Sequence, residues 1–350
     1  MNLEDLGKND SKKMYKTYDE WPEIAKNSFN KKFEKIDVGD IDHIVFAGMG
    51  GSGSIGDAIS SILSKEDIHI SNVKGYLLPK TVDSKTLVIT TSVSGNTSET
   101  FSILKNAKET SAKVVGFSSG GLIEKYCNNN NIFFQKIPMI HSPRASFPSF
   151  LYSILNILEP ILPIKQNDIN ESISALEKTR KNIFSGNLTL ENKSLDLAKF
   201  VKDVVCIYYP AGFQAVATRY KNSLQENSKI HAMTEDVIES SHNGIVSWEK
   251  QSIVNPVLIQ GKDDHFKTSE RWNLLEEFFE KNKINFKKIE SLNGSILSKI
   301  TNLVYLVDYS TIYFAAINHI DPSPVDSIDF IKSKLWFGKY NLSVKFYMLN

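Results

Sequence analysis

From Ile41 onward, short β-branched runs alternate with helix-forming stretches, and that alternation constrains the fold more than any other feature. A chain written this way builds stacked βα units around a parallel sheet. Candidate strands fall at 44–47, 68–73, 86–91, 113–117 and 132–136. Candidate helices fall at 54–63, 97–108 and 122–127, followed by a longer one over 147–161. A second cycle follows, with strands at 204–209, 253–260 and 285–291 and helices at 213–225 and 268–281. Two further helices, 296–318 and 324–336, are separated by Asp-Pro and Ser-Pro punctuation. The first forty residues are polar with a loose apolar stripe at Tyr15, Tyr18, Trp21, Ile24 and Phe29, which predicts a helical arm over 1–40. One α/β unit is expected over 41–165, a charged linking helix over 166–195, and a second unit with C-terminal helices over 196–350.

A length of 350 residues suits two such units, each able to bury its own core. Forty-one Lys and Arg against 40 Asp and Glu leave a net charge of +1, so no field is available to hold a nucleic acid. Cys127 and Cys206 have no CxxC or metal-ligand spacing, which argues against disulfide scaffolding and structural zinc. The N-terminus lacks an apolar h-region and no window approaches 18 uninterrupted apolar residues; a cytoplasmic protein without membrane contact is expected.

Two strand-to-helix junctions carry chemistry. The first candidate strand runs into Gly48-Met49-Gly50-Gly51-Ser52-Gly53, where glycines let backbone approach an anion and the helix N-terminus supplies free N–H groups. Gly48, Gly50 and Gly53 also satisfy a dinucleotide-binding spacing formally, but the second strand is followed by Lys74-Gly75-Tyr76 rather than the acidic residue such a site needs. The third strand runs into Ser92-Val93-Ser94-Gly95-Asn96-Thr97, again opening a helix. One hydroxyl is enough to cap a helix; Ser92, Ser94 and Thr97 together point to a bound phosphate.

Gly-Gly-Ser-Gly after the first strand and Ser-x-Ser-Gly-x-Thr after the third resemble the phosphosugar-holding loops of a SIS (sugar isomerase) domain. With Pro143-Arg144-Ala145-Ser146, Glu226-Asn227-Ser228-Lys229 and Ser241-His242-Asn243, the chain resembles the bifunctional phosphoglucose/phosphomannose isomerases of archaea and some bacteria over about residues 41–334. The resemblance implies two tandem SIS domains, each a doubly wound, flavodoxin-like, mainly parallel sheet. It also implies metal-free aldose–ketose isomerisation of a hexose 6-phosphate through a cis-enediol, with no cofactor. Action on both glucose and mannose phosphates is implied as well, by one base serving both faces of C2.

That chemistry needs a carboxylate base, a ring-opening group and a cation for the enediolate. The resemblance puts Glu226 in the role of base, with Gln225 where the family has Asn. It makes His242 the ring-opening group, donated across a homodimer interface; a histidine can both accept and donate a proton near neutral pH. Gly244 stands where the family usually shows an acidic residue after His-Asn. The same resemblance implies that Lys332 assists ring opening, with Lys334 two residues away as its competitor, and that Arg144 approaches the sugar oxygens or the enediolate. Gly50, Gly51, Ser52, Ser92, Ser94 and Thr97 are expected to hold the phosphate. Asp263, Asp264 and His265 read as a solvated acidic turn and Tyr305, Tyr309, Tyr313 and Phe314 as a buried helix face; no metal is assigned. The competing readings are another SIS isomerase and a non-catalytic sugar-phosphate sensor, the latter disfavoured by Glu226 and His242 occurring together.

Overall fold

The computed structural model describes residues 3–337. Three helices, α1 (Leu3–Asn9), α2 (Met14–Asp19) and α3 (Trp21–Asn30), precede the first sheet. That sheet is built from β1 (His43–Ala47), α4 (Gly50–Ile62), β2 (His69–Val73), β3 (Thr86–Ser92), α5 (Ser98–Lys108), β4 (Lys113–Ser118), α6 (Gly121–Asn129) and β5 (Phe133–Lys136). All five strands are parallel, in the order β2-β1-β3-β4-β5. Helices α7 (Phe147–Ile157), α8 (Gln166–Ile183) and α9 (Lys193–Phe200) lead to the second sheet. Its elements are β6 (Val204–Tyr209), α10 (Gln214–Ser223), β7 (His231–Asp236), α11 (Val237–Ser240), β8 (Val254–Gln260), α12 (Phe266–Lys281) and β9 (Lys287–Glu290). Four parallel strands follow the order β7-β6-β8-β9, the same winding as the first sheet. The chain closes with α13 (Ile296–Ile317) and α14 (Asp326–Phe337).

This winding fixes where a ligand can bind. In the first sheet the chain turns to one side after β1 and to the other after β3, so the loops leaving those neighbouring strands part and open a crevice at the carboxyl edge. The two glycine- and hydroxyl-rich loops are the ones that flank it. Strands β1 and β3 are buried along their whole length, as expected for central parallel strands read as unbroken apolar runs.

Between the halves runs α13, buried over nearly all of its 22 residues. It is long and apolar enough to cross a membrane, yet 94% of its most apolar window lies inside the fold, which marks it as a core helix. Tyr305, Tyr309 and Tyr313 stack along one face, as the helix-face reading expected. From the leading helices Trp21 stacks on Tyr305 and Tyr18 packs at a tilt against Tyr309, and Tyr305 Oη donates to the Tyr18 carbonyl at 2.7 Å. Tyr309 Oη donates to Asp19 and Tyr313 Oη to the Ile183 carbonyl, both at 2.6 Å, so each of the three α13 hydroxyls has a partner.

Three differences from the sequence reading have physical causes. Strand β7 was not anticipated, because His231-Ala-Met-Thr-Glu-Asp is polar; it is an edge strand with its side chains only partly covered. The helix expected over 213–225 ends at Ser223 and continues as one π turn, Leu224–Ser228, closed by Lys229 at φ +59°. Helix α7 stops at Ile157 rather than 161, with the chain turning through Leu158–Leu162.

Candidate active site

The glycine loop after β1 is held from two sides. A Cβ at Gly51 would lie 3.0 Å from the Pro143 carbonyl oxygen and 3.2 Å from Arg144 Cα, so glycine lets the loop sit against the Pro143-Arg144 backbone without displacing it. Ser54 Oγ donates to the Gly51 carbonyl at 2.8 Å, fixing the first turn of α4. Ser52 Oγ accepts from the Val93 amide at 3.0 Å, which ties this loop to the one after β3. Gly50 adopts φ +52° and faces open space.

In the second loop, Ser92 and Thr97 hydroxyls meet at 2.9 Å, and Ser92 Oγ also accepts from the Gly95 amide at 3.1 Å. Thr97 sits at the N-cap of α5 but makes no side-chain cap bond. Ordinary capping therefore does not account for its hydroxyl, and the first amides of the helix keep their donors. Ser94 stands apart at the exposed tip, its Oγ accepting from the Asn96 amide at 3.4 Å.

Facing Gly50 across a pocket of about 620 Å³ are Asn222, Gln225, Glu226 and Lys229, with Pro324 to Ile328 on the far wall. Glu226 lies within the π turn, whose wider winding is a common way to re-aim a side chain at a functional site. Arg144, 6% exposed, donates from Nη1 to Glu226 Oε2 at 3.2 Å and from Nε to Asn227 Oδ1 at 2.6 Å. Its Nη2 donates to the carbonyls of Pro322 at 2.6 Å and Ser323 at 3.1 Å. The planar fork is thereby fixed at every edge, with the carboxylate of Glu226 held beside it at the pocket.

Lys229 donates to the carbonyls of Glu226 and Pro324, linking the π turn to the approach of α14. Burial, then the Arg144 charge, hold its ammonium below the ordinary lysine value, with Glu226 opposing.

Gly50 and Glu226 thus line one pocket, Arg144 is bonded to Glu226 although the two are 82 residues apart, Gly51 packs on the Arg144 backbone, and Ser52 ties the glycine loop to the loop where Ser92 meets Thr97. His242 does not line this pocket: it is exposed in the turn after α11, its amide bonded to the Glu239 carbonyl. Lys332 and Lys334 are exposed on α14, beyond the stretch that forms the pocket wall, with Lys334 Nζ over the Phe330 ring at 5.6 Å. The acidic turn is occupied structurally. Asp263 pairs with Lys299, Asp264 accepts from Trp272 Nε1 at 2.8 Å, and His265 Nδ1 accepts from the Lys267 amide at 3.2 Å.

Sequence reasoning passed over Asn227, Lys229, Arg219 and Asp308 as individual residues of the site. Asp308 did carry a signal: it is the lone acid in the apolar run Leu303 to Phe314, and a buried carboxylate in such a run demands a cation.

Residues 190–335 match the family described as "Bacterial phospho-glucose isomerase C-terminal SIS domain". The bifunctional phosphoglucose/phosphomannose isomerase of Caldicellulosiruptor bescii is 32% identical over 327 residues, covering 89% of this chain and 94% of that relative. The enzyme of the same name from Aquifex aeolicus is 29% identical over 322 residues, covering 90% and 94%. Among solved structures, a hypothetical protein from Thermus thermophilus superposes with a TM-score of 0.69 at 13% identity, covering 93% of this chain and 90% of that one, a likeness of fold. With loops, fold and full-length similarity in agreement, the chain belongs to the bifunctional phosphoglucose/phosphomannose isomerase family.

Proposed function

We propose that the protein interconverts glucose 6-phosphate, and mannose 6-phosphate, with fructose 6-phosphate by proton transfer through a cis-enediol, without a metal. The observation that carries this reading is the pairing of Glu226 with the buried Arg144 at the pocket that Gly50 also lines. A carboxylate held beside a fixed cation is what an aldose–ketose proton transfer needs.

Glu226 removes the C2 proton of the open-chain aldose while O1 gains a proton, giving the enediol. It then returns a proton to C1 as the O2 proton leaves, giving the ketose. Arg144 stabilises negative charge on the enediolate oxygens. The phosphate sits at the N-termini of α4 and α5, with donors from Gly50, Gly51, Ser52, Ser92, Ser94 and Thr97. His242 and Lys332 assist ring opening. The exposure of His242 away from its own chain's pocket suits a homodimer in which it serves the partner's site. We assign the sheet-bearing segments 41–165 and 196–350 as the two SIS domains. A soluble sugar-phosphate substrate suits a reaction in the cytoplasm.

The test is a coupled assay of EDTA-treated protein with fructose 6-phosphate, scoring glucose 6-phosphate and mannose 6-phosphate separately. Both products support the dual reading, and one product alone narrows the substrate. Binding of fructose 6-phosphate without any product removes the isomerase reading.

A further inference from the structure

Behind the pocket, Arg219 on α10 reaches both halves of the site. It is 2% exposed, and Asp308 on α13 is fully buried. The guanidinium donates from Nε and Nη2 to Asp308 Oδ2 at 2.9 and 2.6 Å, while Ser223 Oγ donates to Oδ1 at 2.7 Å. Of the three N–H groups that remain, two reach into the first half of the chain. Nη1 donates to Ser54 Oγ at 3.0 Å, and Nη2 to the backbone carbonyl of Arg144. Ser54 passes the link on to the Gly51 carbonyl, so one side chain anchors the glycine loop and the Arg144 backbone together. The Arg219 guanidinium also lies 5.1 Å from the Phe147 ring centroid. From Asp308 the network returns to the reactive end: its carbonyl accepts from Thr311 Oγ1 at 2.6 Å, which accepts from Asn227 Nδ2 at 2.8 Å, and Asn227 Oδ1 holds Arg144 Nε.

A buried ion pair is a weak source of stability, because well-packed apolar groups of the same volume do as well or better. Stability alone therefore does not explain a pair whose spare donors go to the first turns of α4 and to the Arg144 backbone. We propose that Arg219, locked by Asp308, is a positioning residue that sets the spacing between the phosphate-holding glycine loop and the Arg144–Glu226 pair. This inference rests on the function proposed above. The geometry has a mechanical consequence: a shift of α10 against α4 moves phosphate and reactive carbons relative to each other.

Three variants test it. Ser54→Ala keeps the ion pair and the Arg144 contacts but cuts the link to Gly51; KM for fructose 6-phosphate should rise about tenfold with kcat within about twofold. Arg219→Lys keeps a charge for Asp308 but cannot span Ser54 and the Arg144 carbonyl, so kcat/KM should fall about 100-fold. The double variant Arg219→Met with Asp308→Leu should fold with a thermal midpoint near that of the wild type and stay as inactive as Arg219→Lys. A folded double variant with wild-type kcat/KM overturns the proposal, as does an unchanged KM in Ser54→Ala, which decides alone should the double variant not fold. Inactivity of the wild-type protein itself refutes the isomerase reading, and the positioning role is then judged by inorganic phosphate. The phosphate-induced rise in thermal midpoint should be present in the wild type and lost in Ser54→Ala; equal rises overturn it.

Discussion

Replacing Arg144 by lysine preserves the charge and removes the fork, which makes it the sharpest probe of the site. Arginine makes four hydrogen bonds there, to Asn227, Glu226 and the carbonyls of Pro322 and Ser323, from a position only 6% exposed. A lysine ammonium has three donors at a single point and can serve one side of that ring of acceptors, leaving about two acceptors without partners. Bonds to a charged group contribute about 1.5–3 kcal/mol each, and little water can replace them at this burial, so a net loss of ~2–4 kcal/mol follows after relaxation. At ~2.1 cal/mol/K of unfolding entropy per residue, a chain of 350 residues shifts its midpoint by ~1.4 °C per kcal/mol, or about 3–5 °C here. Activity should suffer more. With Glu226 no longer held and the enediolate no longer faced by a fixed cation, kcat should fall about 100-fold, equivalent to ~2.7 kcal/mol of transition-state stabilisation. The phosphate loops keep their donors, so KM should move by less than about threefold. A coupled isomerase assay and a thermal melt give both numbers. A lysine variant with kcat within threefold of the wild type would refute the reasoning, whatever its stability.

Glu226→Gln should abolish isomerisation while leaving sugar-phosphate binding nearly intact, as measured by calorimetric titration with fructose 6-phosphate; retained turnover removes Glu226 from the role of base. Ser94→Ala and Thr97→Ala should raise KM with little change in kcat, because they remove phosphate donors; unchanged values would make the loop a structural cap. His43, at the foot of β1, accepts or donates toward Ser71 and Thr86 at 3.0 and 3.3 Å and stacks near His69. Burial, then the His69 charge, press its pKa below the ordinary ~6.5, with Asp83 and Asp42 opposing. The folded state therefore prefers neutral His43: this contribution is complete above about pH 6.5 and is lost as pH falls through the lower folded-state value. His43→Gln should flatten the fall in thermal midpoint over that window, and a fall identical to that of the wild type would exclude His43 as its source.

The parallel α/β architecture was legible because central strands such as β1 and β3 are unbroken apolar runs and their loops carry local signals. The hydroxyl loop could be read for the same reason: Ser92 and Thr97 are five residues apart, and their meeting at 2.9 Å is a local event. The Arg144–Glu226 contact was not legible from spacing, since it joins residues whose approach depends on how α10 packs against α4. The π turn escaped because a helix-period reading carries straight through it, and β7 because an edge strand tolerates polar residues. Lys229 stands in the run Glu226-Asn227-Ser228-Lys229, but its grip on two carbonyls depends on the left-handed backbone that closes the π turn.

The tyrosine ladder on α13 also bears on how the chain matures during synthesis. Tyr18 and Trp21 are made near the start, yet the ring that Trp21 stacks on and the hydroxyl that reaches the Tyr18 carbonyl belong to Tyr305, 287 residues after Tyr18. At ~5–20 residues per second, that leaves these aromatic groups without their final neighbours for roughly 15–60 s of translation. Throughout that interval the nascent protein presents an apolar, aggregation-prone surface. Helices α1 and α2, which pack on α13, therefore dock late, whereas α3 can settle on α7 as soon as that helix is made.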